Sequence, residues 1–306
     1  MRQVLIGRFF SCLGLVFVVC YLSTYPWLRA EEKLKPEEVV AKSLEALGAP
    51  EARAAAKTRL MKGSGSIEFL EGQIGLDGTA QFASDAGRTR LEWTFGHPDY
   101  ASDQLVFDGK KILVADMRPN VRSPLAVFVN DYAQALLKEG LLGGVTNVGW
   151  PLLSGRKLHL SYRGLKELRG KKVHVVRYQS ADGLHIDLGF DPQTYRHVIT
   201  EYDLNIHGSG PLDYSLYVPG STAASRVGAV YVQGDTGQSH IGKTGSHWQV
   251  DEEFDDFRPV DGITLPHAYK LRLSLDSKTT WIAEWKAQFS EVKENQDLGD
   301  SVFTLR

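Results

Sequence analysis

From residue 60 onward, apolar residues recur at every second position, and this alternation restricts most of the chain to strands with one dry and one wet face. Leu91, Trp93 and Phe95 alternate with Arg90, Glu92 and Thr94. Leu184, Ile186, Leu188 and Phe190 alternate with His185 and Asp187, and Tyr269, Leu271, Leu273 and Leu275 with Lys270, Arg272 and Ser274. Trp281, Ala283, Trp285, Ala287 and Phe289 share a face opposite Thr280, Glu284, Lys286 and Gln288. Sheets wet on one side are antiparallel by habit. Ala86-Gly87, Asp108-Gly109, Arg169-Gly170, Asp182-Gly183 and Asp261-Gly262 punctuate the runs as hairpin turns.

Only two segments carry a helical period. In Pro36–Leu47, Val39, Val40, Leu44 and Leu47 fall on one face and Gly48 stops the run. In 123–142, Ser123 can cap, Pro124 suits the first helical position, and Leu125, Phe128, Val129, Tyr132, Leu136 and Leu137 recur at three and four. The apolar, glycine-containing stretch 141–145 suits a hinge or a lid, and equally a helix end packed on the sheet. A one-sided sheet of this size must cover its apolar face. The expected fold is therefore mainly β (α+β). A curved antiparallel sheet forms a half-open barrel, covered by the N-terminal helix and a central lid helix. An incompletely filled apolar hollow would be a ligand site. Trp93, Phe95, Phe107, Trp281 and Trp285 from the strands, with Phe128, Leu136, Leu137 and Leu141 from the helix, are its candidate lining. Ordinary core packing accounts for the same residues, so both readings stand.

The first thirty residues differ from the rest. Arg2 and Arg8 precede an apolar run, 9–22, and 28–30 reads Leu-Arg-Ala before Glu31-Glu32. This is the pattern of a secretory signal peptide cleaved after Ala30, or of an uncleaved anchor reaching the membrane through the same segment. The expected division is thus 1–30 as signal and 31–306 as one domain. The domain carries an insertion rich in Gly, Ser and Thr at about 208–245. Both cysteines, Cys12 and Cys20, lie in the leader, so the exported, periplasmic part has no thiol or disulfide. It keeps 32 basic and 37 acidic side chains, a net charge of −5, which argues against nucleic acid as partner.

Motifs for chemistry fail on context. Residues 237–244 match the phosphate-loop pattern G-x-x-x-x-G-K-[ST], but Gly245-Ser246 follows where a helix should begin. His207, His240 and His247 lack the tight spacing of a zinc site. There is no G-x-S-x-G. Glu252-Glu253 and Asp255-Asp256 read as a solvated strand edge, and His185 with Asp187, on the polar face of one strand, as part of a cross-strand ion pair. No catalytic residue, metal or cofactor is assigned.

Several segments resemble the outer-membrane lipoprotein carrier superfamily (LolA/LolB-like, with its lipoprotein-sorting-like branch). They are 105–110 (LVFDGK), 190–198 with Phe190-Asp191-Pro192 and Tyr195 to Val198, 254–270 (FDDFRPVDGITLPHAYK) and the closing Asp300-Ser301-Val302-Phe303. The resemblance spans about 39–303, and the insertion departs from it. It implies a half-open barrel with a helical lid over a cavity for acyl chains. The function it implies is a non-enzymatic binder or carrier of a lipid, acyl chain or lipoprotein in the cell envelope. The alternative is an envelope sensor or protein-interaction module on the same scaffold.

Overall fold

A computed structural model describes residues 34–69, 74–85, 87–98, 100–117, 121–131, 133–146, 159–180, 184–206, 215–216, 246–275 and 281–305. The leader and most of the 208–245 insertion, with its phosphate-loop match, lie outside them. The strands are β1 (Thr58–Phe69), β2 (Ile74–Asp85), β3 (Arg88–His97), β4 (Tyr100–Phe107), β5 (Ile112–Val114), β6 (Val121–Arg122), β7 (His159–Leu168), β8 (Lys171–Gln179), β9 (His185–Phe190), β10 (His197–Ile206), β11 (Ser215–Leu216), β12 (Ser246–Val260), β13 (Ile263–Leu275) and β14 (Trp281–Glu294). Twelve of them form one sheet, ordered β5-β4-β3-β2-β1-β14-β13-β12-β10-β9-β8-β7, and every pairing in it is antiparallel. β6 and β11 make a separate two-residue parallel pair.

The sequence explains the connections. Arg169-Gly170 and Asp261-Gly262 all have positive φ (+46°, +78°, +47° and +85°), which a two-residue turn matched to strand twist requires. Where the chain ends meet, β1 pairs with β14 through a bulge at Lys62/Gly63. A Cβ on Gly63 would lie 1.9 Å from the Gln288 carbonyl oxygen, so only glycine permits that approach.

The helices are α1 (Pro36–Leu47), α2 (Pro50–Ala55), α3 (Pro124–Asp131) and α4 (Gln134–Lys138), with 3-10 turns at Gly144–Thr146 and Asp300–Phe303. α1 contacts β13 and also β7 and β8. Those strands stand four to five places apart in the sheet, roughly 20 Å if it were flat at ~4.8 Å per strand. α1, ~18 Å long over its twelve residues, lies across these strands on the concave side of the sheet and contacts all three. The result is the expected half-open barrel: one unclosed, curved antiparallel sheet with helices over its concave face.

The concave face is the dry one. Ile67, Trp285, Leu271, Glu252 and Thr200 stand side by side on β1, β14, β13, β12 and β10. Around them Phe82 meets Trp93, Tyr269 and Phe289 edge-on, with ring centres 4.7, 5.4 and 5.1 Å away. Such pairs add about 0.5–1.5 kcal/mol each beyond the area they bury.

Two readings of the sequence need correction. The single helix expected over 123–142 is two. Asn130 and Asp131 favour helix ends, and the Asn130 carbonyl accepts from the Gln134 side-chain Nε2 at 2.8 Å. The polar side of β3 is also buried, because the C-terminal segment covers it. Arg90 is fully buried there and donates to Gln104 Oε1 (2.9 Å) and to the carbonyls of Val302 (3.3 Å) and Thr304 (2.5 Å). Ala83, Val106, Leu298 and Phe303 form a second small core around it. Asp187 makes the expected cross-strand ion pair, with Arg177 of β8 at 2.6 Å.

Candidate functional site

Residues 123–146 form a cover over the concave face. Its first turn is set by Ser123, whose Oγ accepts from Ala126 N–H at 3.0 Å, as an N-cap does. The same hydroxyl reaches Asp103 of β4. Asp103 is buried and also accepts from Tyr100 Oη (2.6 Å) and Trp285 Nε1 (2.7 Å). Burial pushes its pKa up, against the pull of these three hydrogen bonds.

The far end of the cover, 141–146, is a strap tied down by sheet side chains. Tyr202 Oη of β10 lies 2.8 Å from the Leu141 carbonyl oxygen. Gly143 N–H donates to Glu252 Oε1 at 2.7 Å, and the Tyr202 and Tyr269 hydroxyls both contact the same carboxyl. Arg59 Nη1 donates to the Val145 carbonyl at 3.0 Å while its Nε pairs with Glu294 at 2.5 Å. Ser84 Oγ donates to the Thr146 carbonyl. Gly143 has φ +73°, and a Cβ there would meet Leu91 at 2.8 Å, so this seat requires glycine. Desolvation pushes the Glu252 carboxyl up to about 7 despite the donors around it. Nearby, His197 lies between the rings of Phe190 and Phe254, and desolvation holds it below its ordinary value.

Seven of the nine sequence-derived candidates fall into three groups. Trp93 sits within the Phe82–Tyr269–Phe289 cluster and donates Nε1–H to the Lys286 carbonyl at 3.0 Å. Trp285 and Phe95 are joined through Asp103 and Tyr100. Phe128 packs on Trp248 with ring centres 5.7 Å apart, and Leu136, Leu137 and Leu141 are buried on the underside of the cover. Phe107, at the end of β4, is only half-buried. Trp281 opens β14 opposite Ser274, and its side chain lies outside the described residues. A small cavity of about 50 Å³ borders the strap, lined in part by Arg59, Val145, His197 and Phe254. A wider cleft of about 600 Å³ lies on the opposite face of β1, β2, β13 and β14, among Ser64, Asp77, Lys270, Lys286 and Gln288. None of the eight candidates whose side chains are described lines either one.

The residues that fasten the cover were missed. Glu252 is fully buried, which corrects its reading as part of a solvated edge; Glu253 on the other face pairs with Lys171 (2.9 Å) and Lys270 (2.8 Å). The signal was present in the alternation, since Glu252 shares its face with Val250 and Phe254, as Asp103 does with Leu105. A carboxylate on an otherwise dry face needs dedicated partners. Among the described residues, no group of three or more His, Asp or Glu side chains is placed to hold a metal, and no helix is long and apolar enough to cross a membrane.

No family model matches the chain, and no curated protein matches it at significant similarity. Solved structures do. A Vibrio parahaemolyticus domain described as an outer membrane lipoprotein-sorting protein is 11% identical, with 86% of this chain and 96% of that one covered and a TM-score of 0.39. A DUF1329 family protein from Desulfovibrio piger is 8% identical, with 89% and 98% covered and a TM-score of 0.41. MucB in the MucA/MucB complex of Pseudomonas aeruginosa is represented by a match at 8% identity, 85% and 99% coverage and a TM-score of 0.21. At TM-scores below 0.5 these similarities carry no argument about what the chain does.

Proposed function

We propose that this chain is an exported, non-enzymatic binder or carrier of a lipid or acyl chain in the cell envelope, and that the ligand occupies the concave face once the cover lifts. One observation carries this reading. The apolar concave face lies under a separate segment, 123–146, fastened to the sheet by hydrogen bonds from Ser123 to Asp103 at one end and at the strap at the other, while its underside meets the sheet through apolar side chains. Lifting such a cover exposes apolar surface, and an acyl chain can replace what is lost. At ~0.8 kcal/mol per buried methylene, a chain of about sixteen carbons offers on the order of 10 kcal/mol, comparable with what Phe128, Leu136, Leu137 and Leu141 give up at ~1.5–3 kcal/mol each. A filled concave face, as here, favours the second reading: an envelope sensor or protein-interaction module that needs no buried ligand. Extraction mass spectrometry of the protein purified from an envelope-competent host separates the two. A stoichiometric lipid or acylated peptide supports the carrier. A folded protein that is empty after purification and stays empty when offered acyl chains rejects it.

A further inference from the structure

Tyr202 carries one hydroxyl hydrogen, yet its oxygen lies within bonding distance of two acceptors, the Leu141 carbonyl (2.8 Å) and the Glu252 carboxyl. If Glu252 is ionised, that hydrogen can serve only one of them. If Glu252 is protonated, every partner is satisfied: Glu252 O–H donates to Tyr202 Oη, and Tyr202 donates to the Leu141 carbonyl. The other carboxyl oxygen still accepts from Gly143 N–H (2.7 Å) and from Tyr269.

We propose that Glu252 is a proton-operated catch on the cover: the protonated carboxyl passes a hydrogen bond through Tyr202 to Leu141 and holds the strap down, and loss of the proton to solvent frees the Leu141 carbonyl and lets the strap lift. Its role in releasing a ligand rests on the carrier reading; the catch itself does not.

Ionisation has an opposing effect, because a charged carboxylate binds Gly143 N–H and Tyr269 more strongly. The balance is decided by burial. Desolvation is the largest influence on Glu252 and outweighs the donors from Tyr202, Tyr269, Gly143 and Gly144, leaving the group near 7 in place of its ordinary 4.5. The closed strap therefore prefers the proton. The groups facing the site do not reverse this. β10 supplies Tyr202, Thr200 and His197, with the histidine held neutral by desolvation. β13 supplies Tyr269. On β1, Arg59 lies against the strap at Val145 with its charge paired to Glu294 of β14. Glu139, at the end of α4, accepts from Tyr178 Oη at 3.0 Å.

The test is hydrogen exchange by mass spectrometry on the full chain, following the backbone of 141–146 at pH 6 and pH 8 after correction for intrinsic rates. With ordinary titration in the open state, the opening constant should rise on the order of tenfold between those values. Glu252→Gln, whose amide can donate to Tyr202 and accept from Gly143, should hold the strap equally at both. Tyr202→Phe should loosen it already at pH 6, and decides the matter if Glu252→Gln does not fold. A flat wild-type response, a Glu252→Gln protein that keeps the wild-type response, or a Tyr202→Phe strap as protected as the wild type would each overturn the catch. Extraction mass spectrometry on the same preparations keeps the two ideas apart. A protein that stays empty when offered acyl chains, with the pH response intact, retires the carrier and leaves the catch, and a lipid-loaded protein without the response does the reverse.

Discussion

Gly143→Ala isolates how tightly the strap is fitted to the sheet. Two costs add. An alanine held at φ +73° is left-handed, at about 1–2 kcal/mol. Its Cβ would stand 2.8 Å from both Leu91 methyl carbons, and Leu91 is fully buried between β2 and β4, so relief requires a strained rotamer or a shift of the strap, at about 1–3 kcal/mol. The sum, about 2–5 kcal/mol, is a large part of a typical domain's margin. Gly87→Ala is the control. Gly87 also has positive φ (+101°), but nothing lies within 4 Å of where its Cβ would sit, so it should cost only the backbone share. Urea unfolding gives the global change. Hydrogen exchange at 141–146 gives the local one, expected at thirtyfold or more from about 2 kcal/mol. Equal losses for the two variants, or a loss below about 0.5 kcal/mol at Gly143, would show that the strap does not sit against Leu91 as described.

Further expectations concern the cover and its carboxyl. Leu137→Asp places a charge on the buried underside of the cover and should abolish acyl-chain uptake while far-UV circular dichroism still reports the sheet; unchanged uptake would count against a lid. Glu252 titrates at about 7 when folded and near 4.5 otherwise, so its stabilising contribution is full below 4.5 and is lost as pH rises to about 7. The unfolding free energy of the wild type minus that of Glu252→Gln should therefore drop by about 3 kcal/mol between pH 4.5 and pH 8, and a constant difference would contradict it. His197 runs the other way. Desolvation lowers it, so its contribution is present above its ordinary 6.5 and fades as pH falls below, giving the wild type an acid limb that His197→Phe should weaken in urea titrations.

The parts of this fold legible in the sequence are those fixed by local pattern. Alternation marked the strands, Arg169-Gly170 and Asp261-Gly262 marked two-residue turns, and Pro36 with Gly48 bracketed α1. What was not legible depends on residues far apart in the chain. Arg90 looks like a solvent-facing residue until the C-terminal carbonyls of Val302 and Thr304 arrive more than two hundred residues later. Glu252 was read beside Glu253 as a charged pair, although along its own face it interrupts Val250 and Phe254; Tyr202, fifty positions away, and Tyr269, seventeen away, supply its partners. The helix break after Asp131 follows from side-chain competition for the Asn130 carbonyl, which a periodicity of apolar residues does not register.

The most direct test of a ligand site beneath the cover is photocrosslinking with a diazirine-labelled fatty acid, with the modified residues mapped by mass spectrometry. If an acyl chain enters when the strap lifts, the label should fall on the concave face and the underside of the cover, at Trp93, Trp285, Phe128, Leu136 or Leu137, and unlabelled fatty acid should compete it away. Labelling confined to the opposite face, around Ser64, Lys270 and Lys286, or labelling that no competitor reduces, would contradict a ligand site there.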